Sequence, residues 1–234
     1  MIVGKGFIAN QLIEYDKNKK IIIFASGVSN SKENDNDKFL KEINLIKTFS
    51  KKKALFIYFS SCCVNDSIAK NSLYAKHKLL IEKEIINSFK NYLILRLPNV
   101  IGINKNKNTF FNFFYNAIIN DQKLIIHKDS IRYFIDIADL NDILKMFIEL
   151  RITNRIIDIA FKNPVKVLKC LRILENCIGK KANYSIVEKS ASINLSLDFF
   201  NEKYETFYNK KIGSNYTRKC FEKYVNMKLL INNN

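Results

Sequence analysis

The chain has 234 residues, 47% of them hydrophobic, enough for one substantial core or a domain with a small appended lobe and too few for two full domains. Its 39 basic and 22 acidic residues give a formal charge of +17, which attracts anionic ligands, but the lysines are scattered among Asn, Ile and Phe, Trp is absent, and no interleaved aromatic and basic RNA-binding pattern exists, so no nucleic-acid partner is expected. Five cysteines without metal-ligand spacing, no basic-then-apolar leader after Met1, and no run of about 18 apolar residues lead us to expect a reduced, cytoplasmic chain with no metal site and no membrane partner.

The opening residues, Met-Ile-Val-Gly-Lys-Gly-Phe-Ile-Ala, read as a short strand over 1–4, a glycine turn, and a helix from about Phe7 to Tyr15. "KKIIIFASG" is a wholly apolar strand broken at Ser26-Gly27, and residues 28–37 are polar and loop-like. A helix carrying Phe39, Leu40, Ile43, Ile46 and Phe49 leads into a second buried strand, "ALFIYFSS". A helix over 72–90 and a third buried strand, "NYLILRLPNVIG", follow. Apolar strands separated by helices imply a parallel sheet covered on both faces, so residues up to about 102 form an open α/β unit. Beyond it, "KLIIH", "YFIDI" and "RIIDIAF" read as short strands around a helix near 139–150, followed by a helix over 164–178. Residues 180–234 are polar and weakly periodic, and residues 103–234 are expected to complete the sheet and pack on it as a smaller α+β lobe.

Two stretches carry residue types that chemistry needs. Gly4-x-Gly6-x-x-Ala9 stands at the first strand-to-helix turn, where glycines let the backbone approach a pyrophosphate. Ser60 and Ser61 end the "ALFIYFSS" strand, and in a parallel sheet ligands sit beyond the carboxyl ends of the strands. Thirteen residues after Ser61 comes Tyr74-x-x-x-Lys78, a spacing that puts phenol and ammonium on one helix face. Tyr15/Lys19 and Tyr224/Lys228 share the spacing but follow no strand ending in serine. Tyr, Lys and Ser together can move a proton on or off an alcohol, the ammonium favouring phenolate.

In order along residues 1–160, "GKGFIA", "FASGVS", "FSSCCV", "YAKHKLLIE", "LRLPNVIG" and "IRYFIDIADL" resemble the landmarks of the extended short-chain dehydrogenase/reductases, in their nucleotide-sugar epimerase, dehydratase and reductase branch. The resemblance implies a Rossmann-like sheet and NAD or NADP, the two not distinguishable, held against Gly4, Lys5, Gly6, Phe7, Ile8, Ala25, Ser26, Ser60, Tyr74, Lys78 and Pro98. It implies that Tyr74 is the proton donor or acceptor, that Lys78 lowers its pKa and holds the nicotinamide ribose, and that Ser61 hydrogen-bonds the reacting oxygen. A nucleoside-diphosphate sugar would meet Ser61, Cys62, Cys63 and Asn99, with Arg132 pairing with its pyrophosphate. A homodimer through the Tyr74 helix is a further expectation.

The chain also departs from that family. Only Ala9 to Lys20 separates the glycine turn from "IIIFASG", while Ala25 to Ser60 is 35 residues, one helix-and-loop step, so the second and third strands are expected to be missing and strand 1–4 to lie at a sheet edge. No acid or arginine is placed to read the adenosine ribose. Cys62-Cys63 stands where the sugar 4,6-dehydratases have Asp-Glu, which argues against elimination. Cys63 also falls where the resembling GDP-fucose synthases keep an epimerising cysteine, but "INKNKNTFFNFFYN" lacks their histidine. His77 is expected on the outer face of its helix. The leading expectation is reduction of a nucleotide-linked 4-keto sugar; the alternatives are a nucleotide-sugar epimerase and a non-catalytic protein that binds the dinucleotide or the nucleotide sugar.

Overall fold

The computed structural model describes residues 1–188 and 192–232. In chain order the elements are β1 (Ile2–Val3), α1 (Phe7–Gln11), β2 (Ile21–Phe24), α2 (Asn36–Lys47), β3 (Leu55–Ser61), α3 (Leu73–Ser88), β4 (Tyr92–Leu97) and β5 (Asn99–Ile101). Then come α4 (Phe110–Ile119), β6 (Leu124–His127), β7 (Ile131–Arg132), β8 (Phe134–Asp136), α5 (Asp139–Glu149) and β9 (Arg155–Asp158). β10 (Val165–Lys166), α6 (Val167–Ile178), β11 (Tyr184–Val187), α7 (Asp198–Tyr208) and α8 (Tyr216–Asn232) complete the chain.

The main sheet is parallel throughout, in the order β1-β2-β3-β4-β9. β1 is its edge strand and pairs directly with β2, Ile2 opposite Ile23, as the short link from glycine turn to "IIIF" requires. The four residues of β2 and the centre of β3 are buried on both faces, which accounts for their unbroken apolar runs. One face packs Phe24, Phe56, Tyr58 and Ile94 against Ile46 of α2 and Ile81 and Ile85 of α3. The other packs Ile23, Ile57, Phe59, Leu93 and Leu95 into a larger core shared with α4 to α8. Helix starts follow local capping: Asp35 accepts from Asp37 N at the head of α2, and Ser72 from Ala75 N at the head of α3. α6 stops at Gly179, whose φ of 75° is left-handed.

Two local readings differ from the sequence expectation. The helix from Phe7 ends at Gln11 and continues only as a 3₁₀ turn over Ile13–Tyr15. "YFIDI" holds β8, which pairs parallel with β5, while Ile131–Arg132 just before it form β7, which pairs antiparallel with β10, so the chain changes partner at Tyr133. Within the polar C-terminal stretch, α7 and α8 are regular helices. α8 buries Thr217, Cys220, Phe221, Tyr224 and Val225, a helical spacing hidden because its inner face uses Thr, Cys and Tyr. Its phenols reach the carboxylates of β8 and α5, Tyr224 to Asp136 and Tyr216 to Asp139, and Lys223 Nζ lies 2.8 Å from Asp136 Oδ2. Among the described residues, no helix is long and apolar enough to cross a membrane.

Candidate active site

The site is built at the carboxyl end of the sheet by the β1–α1 turn, the loop after β2, the end of β3 and the first turns of α3. Gly4 has a φ of 131°, and a Cβ there would stand 2.5 Å from the Ala25 carbonyl oxygen, so the turn can close on the next strand only with glycine. At Gly6 a Cβ would meet nothing within 4 Å. Lys5 and Gly6 are exposed and Phe7 and Ile8 half-buried. α1 is short, so its dipole is small, but its first-turn amides have no intrahelical acceptor. Open space over Gly6 with free amides beside it fits a pyrophosphate. Phe7 turns inward, where its ring fills the space that a Cβ at Gly102 would need.

Along α3, Tyr74, Lys78 and Glu82 follow one another at a turn's spacing and all are buried. The Ser61 side chain neighbours the Tyr74 hydroxyl and favours its phenolate, but burial dominates, and with the Cys63 thiol and Glu42 it pushes the phenol above its usual value. Tyr74 is therefore a protonated phenol at neutral pH. Lys78 Nζ lies 5.6 Å from the centre of the Tyr74 ring. Its charge also has a partner inside the protein: Nζ donates to Glu42 Oε1 at 3.2 Å and to the Tyr58 hydroxyl at 2.8 Å.

Other expected site residues divide. Ser61 is brought to Tyr74, its hydroxyl also accepting from Cys63 N at 3.2 Å. Cys63 is half-buried beside this pair, its thiol pushed up by burial. Cys62 does not join them: it is 2% exposed and its Sγ donates to the Arg96 carbonyl at 3.2 Å, so the thiol is packed against β4. The Ser60 hydroxyl is likewise turned away from Ser61 by strand alternation and donates to Glu82 Oε1 at 2.6 Å. Ala25 and Ser26 follow β2 beside Gly4, and half-buried Pro98 separates β4 from β5. Asn99 Nδ2 donates to the Tyr133 carbonyl at 3.0 Å, fixing the strand change between β4 and β5. Arg132 has an internal partner, Asp66 Oδ2 at 3.7 Å, and its Nη1 donates to the Ile131 carbonyl at 2.7 Å.

Residues that sequence reasoning passed over are as informative. His77 is not on an outer face: it is 6% exposed, stacked on Phe39, with Nε2 2.9 Å from Glu42 Oε2. Glu42 falls between Phe39 and Ile46 on the apolar stripe of α2, and an acid in the middle of such a stripe was the available signal. Arg96 holds Glu82 through Nε at 2.9 Å and Nη2 at 2.6 Å, backing α3 from the sheet. A cleft of about 420 Å³ lined by Asn65, Arg96, Arg155, Asp158, Asn194 and Phe199 lies at the β9 edge, and none of Ser61, Tyr74 and Lys78 lines it.

The NAD dependent epimerase/dehydratase family model matches residues 8–160, about two thirds of the chain. The chain belongs to this family. Among curated proteins none matches the sequence significantly. Solved structures similar in fold include UDP-N-acetylglucosamine 4-epimerase from Bacillus cereus, at 15% identity, covering 99% of this chain and 95% of the other with a TM-score of 0.69. RMD from Pseudomonas aeruginosa, complexed with NADPH, aligns at 13% identity over 96% of this chain and 98% of its own, TM-score 0.70. The dTDP-glucose 4,6-dehydratase from Bacillus anthracis, in complex with NAD, aligns at 13% identity over 97% and 79%, TM-score 0.65. The sheet is thus Rossmann-like, and the family's cofactor is a nicotinamide dinucleotide.

Proposed function

We propose that the protein is an NAD(P)-dependent reductase of a 4-keto sugar carried on a nucleoside diphosphate, working in the cytoplasm. The observation that carries this reading is the buried Tyr74 phenol set beside the Ser61 hydroxyl at the carboxyl end of the sheet. A phenol there can give a proton to the oxygen of a ketone as that carbon is reduced. The nicotinamide dinucleotide supplies the hydride. Ser61 orients the ketone oxygen toward Tyr74, and Lys78, with one N–H left beyond Glu42 and Tyr58, is the donor for the nicotinamide ribose. The Gly4–Gly6 turn and the Phe7 and Ile8 amides receive the pyrophosphate. Residues 1–102 carry this cofactor half, and residues 103–234 complete the sheet and supply the sugar lobe; Asn99, near the end of the first part, and Arg132, in the lobe, meet the nucleotide sugar.

The closest second reading is a nucleotide-sugar epimerase, which uses the same groups in both directions. Thiols in place of the acid and base that follow the serine strand in dehydratases speak against elimination, and Cys62, packed against β4, is not available for it. Incubation with a panel of nucleoside-diphosphate keto sugars and NADH or NADPH, followed at the reduced-nicotinamide absorbance band, separates the readings. Net cofactor oxidation supports the reductase, product without net oxidation supports the epimerase, and binding without product supports a non-catalytic protein. In the reductase, Tyr74→Phe lowers turnover by about 10²-fold or more with folding unchanged; turnover within about threefold of wild type removes Tyr74 from the chemistry.

We also propose that two copies pair through α3. Leu73, Leu80 and Ile86 of α3 and Leu40 of α2 are exposed apolar side chains on the two helices that cover this face of the sheet. Sedimentation should give a dimer, and Leu80→Glu a monomer.

A further inference from the structure

Behind Lys78 lies a buried ionic cluster that the proposed chemistry leaves unused. Glu42, 3% exposed, receives the Tyr58 hydroxyl at 2.7 Å and Lys78 Nζ at 3.2 Å on Oε1, and Val28 N at 2.8 Å and His77 Nε2 at 2.9 Å on Oε2. Lys78 is itself only 2% exposed. Gly27 closes the arrangement: a Cβ there would stand 2.7 Å from Glu42 Oε1 and 2.9 Å from Lys78 Nζ. One carboxylate therefore ties together the loop after β2, helix α2, strand β3 and helix α3.

An ammonium this deeply buried loses its proton unless a negative charge stays beside it. The ionisable groups around Lys78 are Glu42 on α2, Tyr58 on β3, Cys63 after β3, and Tyr74 and Glu82 on α3. Tyr58, Cys63 and Tyr74 are neutral with their pKa values raised by burial, and Glu82 is held by Arg96 and Ser60. Among the described residues, Glu42 alone brings a full negative charge into contact with Lys78, and His77 of α3 faces the other oxygen of Glu42. Burial lowers the Lys78 pKa and Glu42 acts to raise it, while Glu42's own carboxyl, despite its burial, is held down to about 2 by Lys78, His77, Val28 and Tyr58.

Resting on the proposed function, we propose that Glu42 is the positioning residue of the site: its carboxylate fixes the Lys78 ammonium at the junction of the 25–28 loop and α3 and supplies its counter-charge. Glu42 touches neither substrate nor cofactor in this role. It sets the pH range over which Lys78 can present its remaining N–H to a dinucleotide.

The test reads the lysine directly. In protein labelled with ¹³C,¹⁵N-lysine and free of ligand, the Lys78 signal is assigned by its loss in Lys78→Met and titrated in wild type and Glu42→Gln. The Gln variant should titrate at least about one unit lower, a tenfold loss of proton affinity; an unchanged titration overturns the proposal. Should Glu42→Gln fail to fold, Glu42→Asp withdraws the charge by one methylene, and its titration should move the same way by less, with no movement again overturning the proposal. NADH affinity, read by fluorescence across the pH range spanned by the two lysine titrations, should fall as Lys78 loses its proton and should do so at lower pH in Glu42→Gln than in wild type. Weakening by the same factor at every pH means a merely structural role and overturns the proposal. Wild-type protein that binds no NADH at all refutes the proposed function instead, and the lysine titration still decides the role of Glu42.

Discussion

Replacing Glu82 by glutamine tests whether α3, the helix of Tyr74 and Lys78, is anchored from the sheet. Glu82 accepts Ser60 Oγ at 2.6 Å and both Arg96 Nε and Nη2, at 2.9 and 2.6 Å, with its side chain 3% exposed. Glutamine keeps the shape but offers one acceptor oxygen, so the bidentate pair is lost and an amide N–H faces the guanidinium. Breaking a buried ion pair from one side costs about 3–5 kcal/mol. Arg96 is 17% exposed and keeps Asp158 Oδ1 at 3.7 Å, which places the expected loss near the lower end, about 3 kcal/mol. For a chain of this length that is a melting point lower by roughly 6–12 °C. Urea unfolding followed by circular dichroism measures it, and Arg96→Met in a double-mutant cycle measures the coupling. A single-mutant loss below about 1 kcal/mol, or a coupling energy below about 0.5 kcal/mol, would refute the view that this pair anchors α3.

Arg132→Ala should weaken nucleotide-sugar binding in calorimetry by about 1–2 kcal/mol, less than a free desolvated guanidinium would supply because Asp66 already shares its charge, and should leave NADH affinity unchanged. Equal loss of both ligands would mean that the β7–β10 region has moved. Acid should unfold the protein partly through Glu42, whose pKa lies below its unfolded value: its stabilisation is complete above about pH 4.5 and disappears as pH falls toward about 2, some 3 kcal/mol that a Glu42→Gln/Lys78→Met protein should not show in urea midpoints against pH. NADH and NADPH should bind with similar affinity in fluorescence titrations, since β1 is the edge of the sheet and no described side chain at the end of β2 selects the 2′ group; a large preference would show that another segment reads it.

The parts of the fold that were legible are those where one physical demand dominates. "IIIF" and "LFIYF" have to be buried on both faces, so they read as central parallel strands, and the short link before "IIIF" leaves no length for two further strands. The same holds for Ser61 and Tyr74, which a strand end and a helix start bring together. What was not legible is what polar residues do when they face inward. α3 buries His77, Lys78 and Glu82 on one side while Leu73 and Leu80 stand exposed, so its periodicity points nowhere. Counter-charges behave the same way: Asp66 for Arg132, and Glu42 for Lys78, come from elements whose packing the sequence does not specify. α8 stayed hidden because Tyr216 and Tyr224 dock by hydrogen bonds to Asp139 and Asp136 rather than by an apolar stripe.

The shortened sheet and the paired lysine belong to one physical problem. The sheet can end at β1 without leaving Ser61, Tyr74 and Lys78 unsupported, because they are fixed from the other side. α3 is held by Glu82 on Arg96 and by Lys78 on Glu42, and the glycine turn is held by Gly4 against Ala25, all of them contacts with β2, β3, β4 or α2. None reaches outward past β1. In the proposed function, a sheet that ends there offers less surface to the adenosine and leaves the Gly4–Gly6 turn and the Tyr74 helix in place. With less cofactor surface to order the site on binding, the order has to be present beforehand. A charge network with every member partnered inside the protein provides it, at the cost of placing several ionised groups where water cannot reach them.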